Sequence, residues 1–346
     1  MITSSARNRL INLIAFLILA LGSSGIIAKT LKIATVSPEF LDWMQHFKSA
    51  ARQIESASER RVKVRIYPGG VMGDDETVLR KMRIGQLQGG VIAAGSLTRF
   101  FPDLQVYNLP LTFKSYDEID YIRERMDSRI VQGLLNNGIH SFHLTETGFA
   151  YLMSKSPVRS VQDIKKLKAW IPEGDPIAAE LIKTFGISPI PLTIPDVLPA
   201  LQTGIIDAVA VPPVVALALQ WHNYIEYVLD LPLIYVYSML ALDSKSLRGL
   251  TSEDLDLVTS RLDEVFKKVD MNNRLDNKKA LEALVSQGIK ITKPRREDLP
   301  EWESVAERSI DDLVKSGEIS AGIVSTFKDH LSEYRLINTD TKDVSD

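Results

Sequence analysis

A metal site or an acid–base pair would need its side chains on one face, and His140 and His143 are the histidines closest together in the chain. They lie in "IHSFHLTETGFAYLMS", an extended pattern that sends positions three apart to opposite faces. With His46, His222 and His330 they have no metal-ligand spacing. The chain contains no cysteine, which removes disulfides and thiolate metal sites. Phosphate loops, nucleophile elbows and a G-x-G-x-x-G fingerprint are absent, and the glycines of "YPGGVMGDDE" fit a strand-to-helix turn without a lysine. The residues point to binding rather than catalysis, and neither metal nor cofactor is expected.

The most informative binding candidate is "LKAWIPEGDPIAAEL", Leu167 to Leu181. It sets Trp170 between a short apolar strand and a helix whose start is signalled by Asp175 as N-cap and Pro176 in the first turn. Strand ends and helix N-termini open onto clefts at such junctions. An indole brings a broad apolar face, stacking and one N–H donor. Glu173 and Asp175 add acids, although a solvated loop and an N-cap account for them more simply.

The remaining composition is that of an ordinary globular protein: 346 residues, 45% hydrophobic, 25% charged, net charge -3. That is enough chain for two cores of normal size. The near-neutral charge and the lack of a basic stripe give no electrostatic case for nucleic acid. Arg7 and Arg9 precede "LINLIAFLILALG" and "SSGIIAKT". This reads as a secretory signal over residues 1–28 cleaved near Ala28, with an uncleaved N-terminal anchor as the alternative. The expected location is the periplasm of a Gram-negative type of cell.

From Leu31 onward strands alternate with helices. "LKIATV", "RVKVRIYP", "GGVIAAGS", "LKAWIP" and "IIDAVAV" read as strands. Helices follow Ser37-Pro38, Asp74-Asp75, Tyr116, Ser160, Asp175 and "TIPDVLPALQTG". The longest helical pattern follows "LTSEDL", with Leu255, Val258, Leu262, Val265 and Val269 in register and an end at Gly288. Two further helices centre on Trp302 to Leu313 and Ile323 to Tyr334. This alternation predicts two α/β domains with largely parallel sheets. "IHSFHLTETGFAYLMS" and "LPLIYVYSMLALDS" are long enough to cross between them, a hinge that favours closure around a ligand.

Several stretches in this order, "VKVRIYPGGVMGDDETVLRKMRIGQLQ", "PDLQVYNLPLTFKSYDE", "SPVRSVQDIKKLKAWIP", "ISPIPLTIPDVLPALQTGIIDAV" and "VSQGIKITKP", resemble the DctP-like solute-binding proteins of tripartite ATP-independent periplasmic (TRAP) transporters. The resemblance runs from Leu31 to about Arg335. It implies a two-domain α/β periplasmic binding protein (Venus-flytrap) fold with an interdomain cleft and a long domain-spanning helix. The implied division is residues 29–148 with 237–268, and 149–236 with 269–337, followed by a polar tail, 338–346. The implied function is capture of a small-molecule ligand, without catalysis, for delivery to the membrane subunits of a sodium-driven permease. A monomer is expected.

At the positions that correspond to the family's ligand groups, this chain departs from the pattern. The strand arginine that grips a carboxylate in the family corresponds to Trp170. A second arginine corresponds to Ala150 in "GFAY", and "DGQENP" corresponds to "DAVAVP", which contains Val209 and Val211. Trp170, Ala150, Tyr151, Val209, Val211 and Trp43 are therefore expected to line a cleft for an apolar or aromatic ligand rather than a simple carboxylate. A carboxylate there would lack its cation unless Arg99, Lys114 or His222 reached inward. Asp75 corresponds to a cleft-facing acid of the sialic-acid-binding members but equally suits a helix cap. Glu173 is the other candidate acid. Trp221 and Trp302 read as core, and Gly204 and Asp207 as fold features. A permease-independent lipid carrier or sensor, and an organic-acid binder with a relocated cation, are the alternative functions.

Overall fold

The computed structural model describes residues 28–340; the signal segment, save Ala28, and positions 341–346 lie outside the described residues. In chain order the elements are β1 (Lys29–Ala34), α1 (Asp42–Ala57), β2 (Val62–Tyr67), α2 (Asp75–Arg83), β3 (Gly89–Ala93), α3 (Tyr116–Asn136), β4 (Ile139–Ser141) and β5 (Thr145–Ser154). There follow α4 (Val161–Ile164), β6 (Trp170–Pro172), α5 (Pro176–Thr184), β7 (Ile190–Leu192), α6 (Ile194–Thr203), β8 (Ala208–Val211) and α7 (Pro213–Ala218). The chain ends with β9 (Tyr227–Asp243), α8 (Ser252–Ser286), β10 (Lys290–Thr292), α9 (Leu299–Ser316) and α10 (Ala321–Asp340).

The main sheet runs β2-β1-β3-β9-β5-β8, with β4 and β10 also paired to β9. β1 is parallel to β2 and β3, as the βαβ pattern predicts. The sheet as a whole is mixed, contrary to the largely parallel expectation: β9 lies antiparallel to β3, β4 and β5, and β5 antiparallel to β8. The cause is β9, which comes back from the other half of the molecule and so meets the strands of the first half in the opposite direction.

β5 and β9 are the two crossings expected from sequence. β9 pairs with β3 and β4 through Ser238–Asp243, and with β10 through Tyr227–Leu229. The extended reading around the paired histidines is broken at Phe142–Leu144, between β4 and β5. There His143 turns its ring to Asp270 of α8, Nε2 to Oδ2 2.9 Å.

Strand alternation distributes the core. Tyr235, Tyr237, Met239 and Ala241 of β9 join one apolar cluster with α2, α3 and α10, while Leu240 and Leu242 join another with α1 and α8. In the second half, Leu152, Ala169 and Ala208 face α4, α5 and α9, whereas Met153, Trp170 and Val209 face α6. α8, 35 residues long, is about 50 Å from end to end. It buries Val258 to Val269 in the first half and Leu284 in the second. α10 rests on α3 and shares the first-half core through Ile323, Phe327 and Leu331. The sequence division places that segment, within 269–337, in the second domain.

The caps follow the local sequence. Ser160 and Asp163 form a capping box, Asp175 caps α5, and Gly204 ends α6 in the left-handed region. Gly148 on the crossing strand has φ +119°, and a Cβ there would stand 2.5 Å from Asn277 Nδ2. The absent side chain lets α8 approach closely enough for Asn277 to bond Thr147 O at 2.7 Å and Val214 N at 3.2 Å.

Candidate functional site

The C-terminal ends of β1, β3, β6 and β8 open onto one cavity of about 840 Å³ between the two halves. This is where an α/β sheet exposes backbone and loops to a ligand. Thr35, Asp75 and Ala93–Ser96 line it from the first half, and Trp170, Asp175, Val209 and Val211 from the second. It continues beneath α5, where Leu152, Ile164, Leu181 and Phe185 form its wall.

Trp170 reaches this wall because the bridge between Ala169 and Ala208 aligns β6 beside β8. The next residues, Trp170 and Val209, then share a face. The indole is 6% exposed, and its Nε1 donates to Leu192 O at 2.9 Å. It meets Trp221 edge to face, with centroids 5.2 Å apart at 77°. The one donor of the ring is therefore used within the protein, so its surface toward the cavity is apolar. Trp221, read from sequence as core, is buried and also lines the cavity. Its spacing alone gives no sign of this.

The other anticipated residues divide. Trp43 lines the cavity at the end of α1 and packs on Phe47 and Phe266 at 6.2 and 6.1 Å. Val209, Val211 and Asp75 line it as well. Ala150 is fully buried in β5 opposite Ile234, and Tyr151 is half-buried opposite Val211 and Pro232; neither is part of the lining. Glu173 stands with Gly174, Thr193 and Pro195 at a separate depression beside α2.

Of the charged residues that line the cavity, Asp75 is buried and Asp175 half-buried, and both are acidic. Asp74, and not Asp75, caps α2 by accepting from Thr77 N at 2.9 Å. Asp75 instead turns inward and accepts from Ala93 N at 3.0 Å and Ser96 Oγ at 3.2 Å. Burial pushes its pKa up to about 6. Asp175 accepts from Ala178 N and from Gln105 Nε2, both at 3.0 Å, and burial raises its carboxyl too. The Gln105 contact joins the two halves. It needs Gly95, where a Cβ would lie 2.4 Å from Asp175 Oδ2.

The bases stand elsewhere. Arg99 pairs with Glu76 at 3.0 Å, His222 Nδ1 lies 3.1 Å from Ala216 O, and neither these two nor Lys114 lines the cavity. His46, Lys268 and Lys279 do line it, from exposed positions on α1 and α8. Asp42 and Asp276 accompany them there. Sequence reasoning missed this rim. Its one signal is the recurrence of Lys268, Asn272, Asp276 and Lys279 every three or four residues along α8. Among the described residues no group of three or more His, Asp or Glu could hold a metal ion. No helix among them is long and apolar enough to cross a membrane.

The arrangement is a largely apolar pocket shared by two halves and open at its rim, suited to holding a small molecule. Residues 33–316 match the family described as bacterial extracellular solute-binding protein, family 7. The sialic acid-binding periplasmic protein SiaP of Vibrio cholerae is 23% identical over 293 residues, 83% of this chain and 90% of that protein. The C4-dicarboxylate-binding periplasmic protein DctP of Rhodobacter capsulatus is 27% identical over 164 residues, 46% of this chain and 48% of that one. Among solved structures, a sugar acid binding protein of Advenella mimigardefordensis in complex with galactonate superimposes with TM-score 0.81 at 16% identity, covering 88% of this chain and 98% of that one. A TRAP periplasmic solute-binding protein of Haemophilus influenzae with bound L-gulonate gives TM-score 0.79 at 17% identity, covering 87% and 99%.

Proposed function

Because this chain belongs to the bacterial extracellular solute-binding proteins of family 7, the DctP group of TRAP transporters, and is a binding protein and not an enzyme, we propose that it captures an apolar or aromatic solute in its interdomain cleft. The solute passes to the membrane subunits of a sodium-driven permease. The proposed ligand contacts are Trp170, Trp221, Trp43, Val209 and Val211, with Asp75 as a polar contact. The protein acts in the periplasm as a monomer, and its two halves close by hinging at β5 and β9. Ligand contacts to both halves favour the closed state by their differential affinity.

One observation carries the choice of ligand: Trp170 lines the cavity with its N–H already bonded to Leu192 O. A carboxylate placed against that wall would lose its hydration for no compensating donor, at a cost of several kcal/mol. The neighbours' bound sugar acids make an organic acid the rival ligand. In this chain it would have to reach His46, Lys268 or Lys279 at the rim. Native mass spectrometry of the protein purified from its own host tests the reading. A co-purified apolar or aromatic molecule supports it, and a co-purified sugar acid or dicarboxylate overturns it.

A further inference from the structure

Asp75 and Asp175 come from opposite halves of the molecule, yet both converge on the short turn that follows β3. Asp75 Oδ2 accepts from Ala93 N and Ser96 Oγ, and Asp175 Oδ2 lies against Gly95. Asp75 is 8% exposed and both carboxyls line the cavity. Among the described residues no lysine or arginine bonds either one, and the bases of the cavity stand at its exposed rim, offset there by Asp42 and Asp276.

Two amides of the first half keep an unpartnered oxygen. Gln105 is 1% exposed and must turn its nitrogen toward Asp175, because only an N–H donor satisfies a carboxylate. Its Oε1 is thereby left buried without a partner. Asn108, which lines the cavity, must turn its nitrogen toward the Tyr235 carbonyl at 2.8 Å. Its Oδ1 is likewise buried and unpartnered. Both oxygens are shielded from the cavity, so the acceptors that line it here are the carboxyls of Asp75 and Asp175.

We propose that the ligand is an apolar amine, whose protonated nitrogen is held by Asp75 and Asp175 while its hydrocarbon body lies against Trp170, Val209 and Val211. This rests on the apolar reading of the cleft and adds the ligand's polar group. An ammonium supplies hydrogen-bond donors to both carboxyls and offsets their negative charge. It also touches both halves at once, because Asp75 belongs to the first half and Asp175 to the second. Binding therefore stabilises the closed arrangement. A carboxylate in the same place faces repulsion from both acids.

Matched ligands test the proposal on the unmodified protein. Calorimetric titration at about pH 7.5 compares phenylbutylamine, phenylbutanol and phenylbutanoate, then naphthylmethylamine, naphthylmethanol and naphthoate. Charge-assisted hydrogen bonding predicts that each amine binds roughly 10- to 100-fold more tightly than its alcohol, with the acids weakest. Asp75→Asn is expected to reduce that preference. Asp175 also caps α5, so the wild-type comparison, which needs no variant, decides the matter. An alcohol or acid that binds as tightly as its amine overturns the amine assignment and leaves the apolar cleft standing. If none of these compounds binds, the apolar reading falls with it.

Discussion

The indole of Trp170 stands edge-on to that of Trp221, with centroids 5.2 Å apart at 77°, and its single N–H is bonded to Leu192 O. The pair forms one apolar wall, buttressed by Met153, Val197 and Val209. Trp170→Phe removes the donor and is expected to cost roughly 1–3 kcal/mol, read by urea unfolding. Trp170→Arg supplies a cation that could pair with a carboxylate, but places a guanidinium among apolar neighbours. It is expected to lower stability further, by several kcal/mol, without creating succinate binding. A stable Trp170→Arg protein that binds succinate would show that the pocket is a carboxylate site lacking only its cation.

The buried carboxyl of Asp75 makes stability depend on pH. Burial raises its pKa from 3.8 to about 6, so the folded state favours the protonated form. Below the unfolded pKa both states are protonated and the group contributes nothing. As pH rises through about 6 the folded state must hold a buried anion, at a cost of roughly 2–3 kcal/mol. Asp75→Asn should therefore match the wild type in Tm near pH 4 and exceed it near pH 7.5. A variant less stable than the wild type at pH 7.5 would mean that the bonds from Ala93 and Ser96 outweigh desolvation.

Gly95 permits the contact that joins the halves. The Cβ of Gly95→Ala would meet Asp175 Oδ2 at 2.4 Å and Gln105 Nε2 at 2.9 Å. Its backbone does not lie in the left-handed region, so the substitution acts through crowding alone. Small-angle scattering should give a larger radius of gyration than the wild type, and ligand affinity should fall at least ~10-fold as the closed state is destabilised. An unchanged scattering profile would show that the two side chains simply give way.

Beside β5, Asp270 of α8 accepts from Arg123 Nη1 at 3.0 Å and from Glu146 N at 2.6 Å, while its other oxygen meets His143. Tyr235 and Arg274 complete the surrounding network. Burial raises the carboxyl of Asp270, but the hydrogen bond with His143 and the charge of Arg123 together hold it below its usual range. Its stabilisation is present above the ordinary carboxylate pKa and is lost as pH falls through the lower folded value. Asp270→Asn should cost about 3 kcal/mol at pH 7, because it leaves Arg123 less compensated. The difference from the wild type should close in strong acid. A constant difference across that range would assign the loss to packing instead of charge.

Local chemistry is legible in the sequence, and its three-dimensional sum is less so. Asp175-Pro176 announces the start of α5 and Gly204 the end of α6, because caps depend on residues within a turn. The apolar register from Val258 to Val269 likewise announces α8. The antiparallel entry of β9 and the seat of α10 on α3 depend on where the chain goes between elements, and no periodicity encodes that. The same holds for the site. Trp170 and Val209 are found through their places in motifs, whereas Trp221, Lys268 and Lys279 reach the cavity from elements remote in sequence. Glu173 lies only three residues beyond Trp170, yet the turn at Gly174 carries it to a different depression.

Trp43, Trp170 and Trp221, three of the chain's four tryptophans, line the cavity, so intrinsic fluorescence reports directly on what enters it. Titration of the wild-type protein with naphthylmethanol, succinate and galactonate tests the apolar cleft most directly. Saturable quenching by naphthylmethanol, with no response to either acid, is the predicted result. Micromolar binding of succinate or galactonate, lost on substitution of Lys268 or Lys279 and without any response to naphthylmethanol, would contradict it.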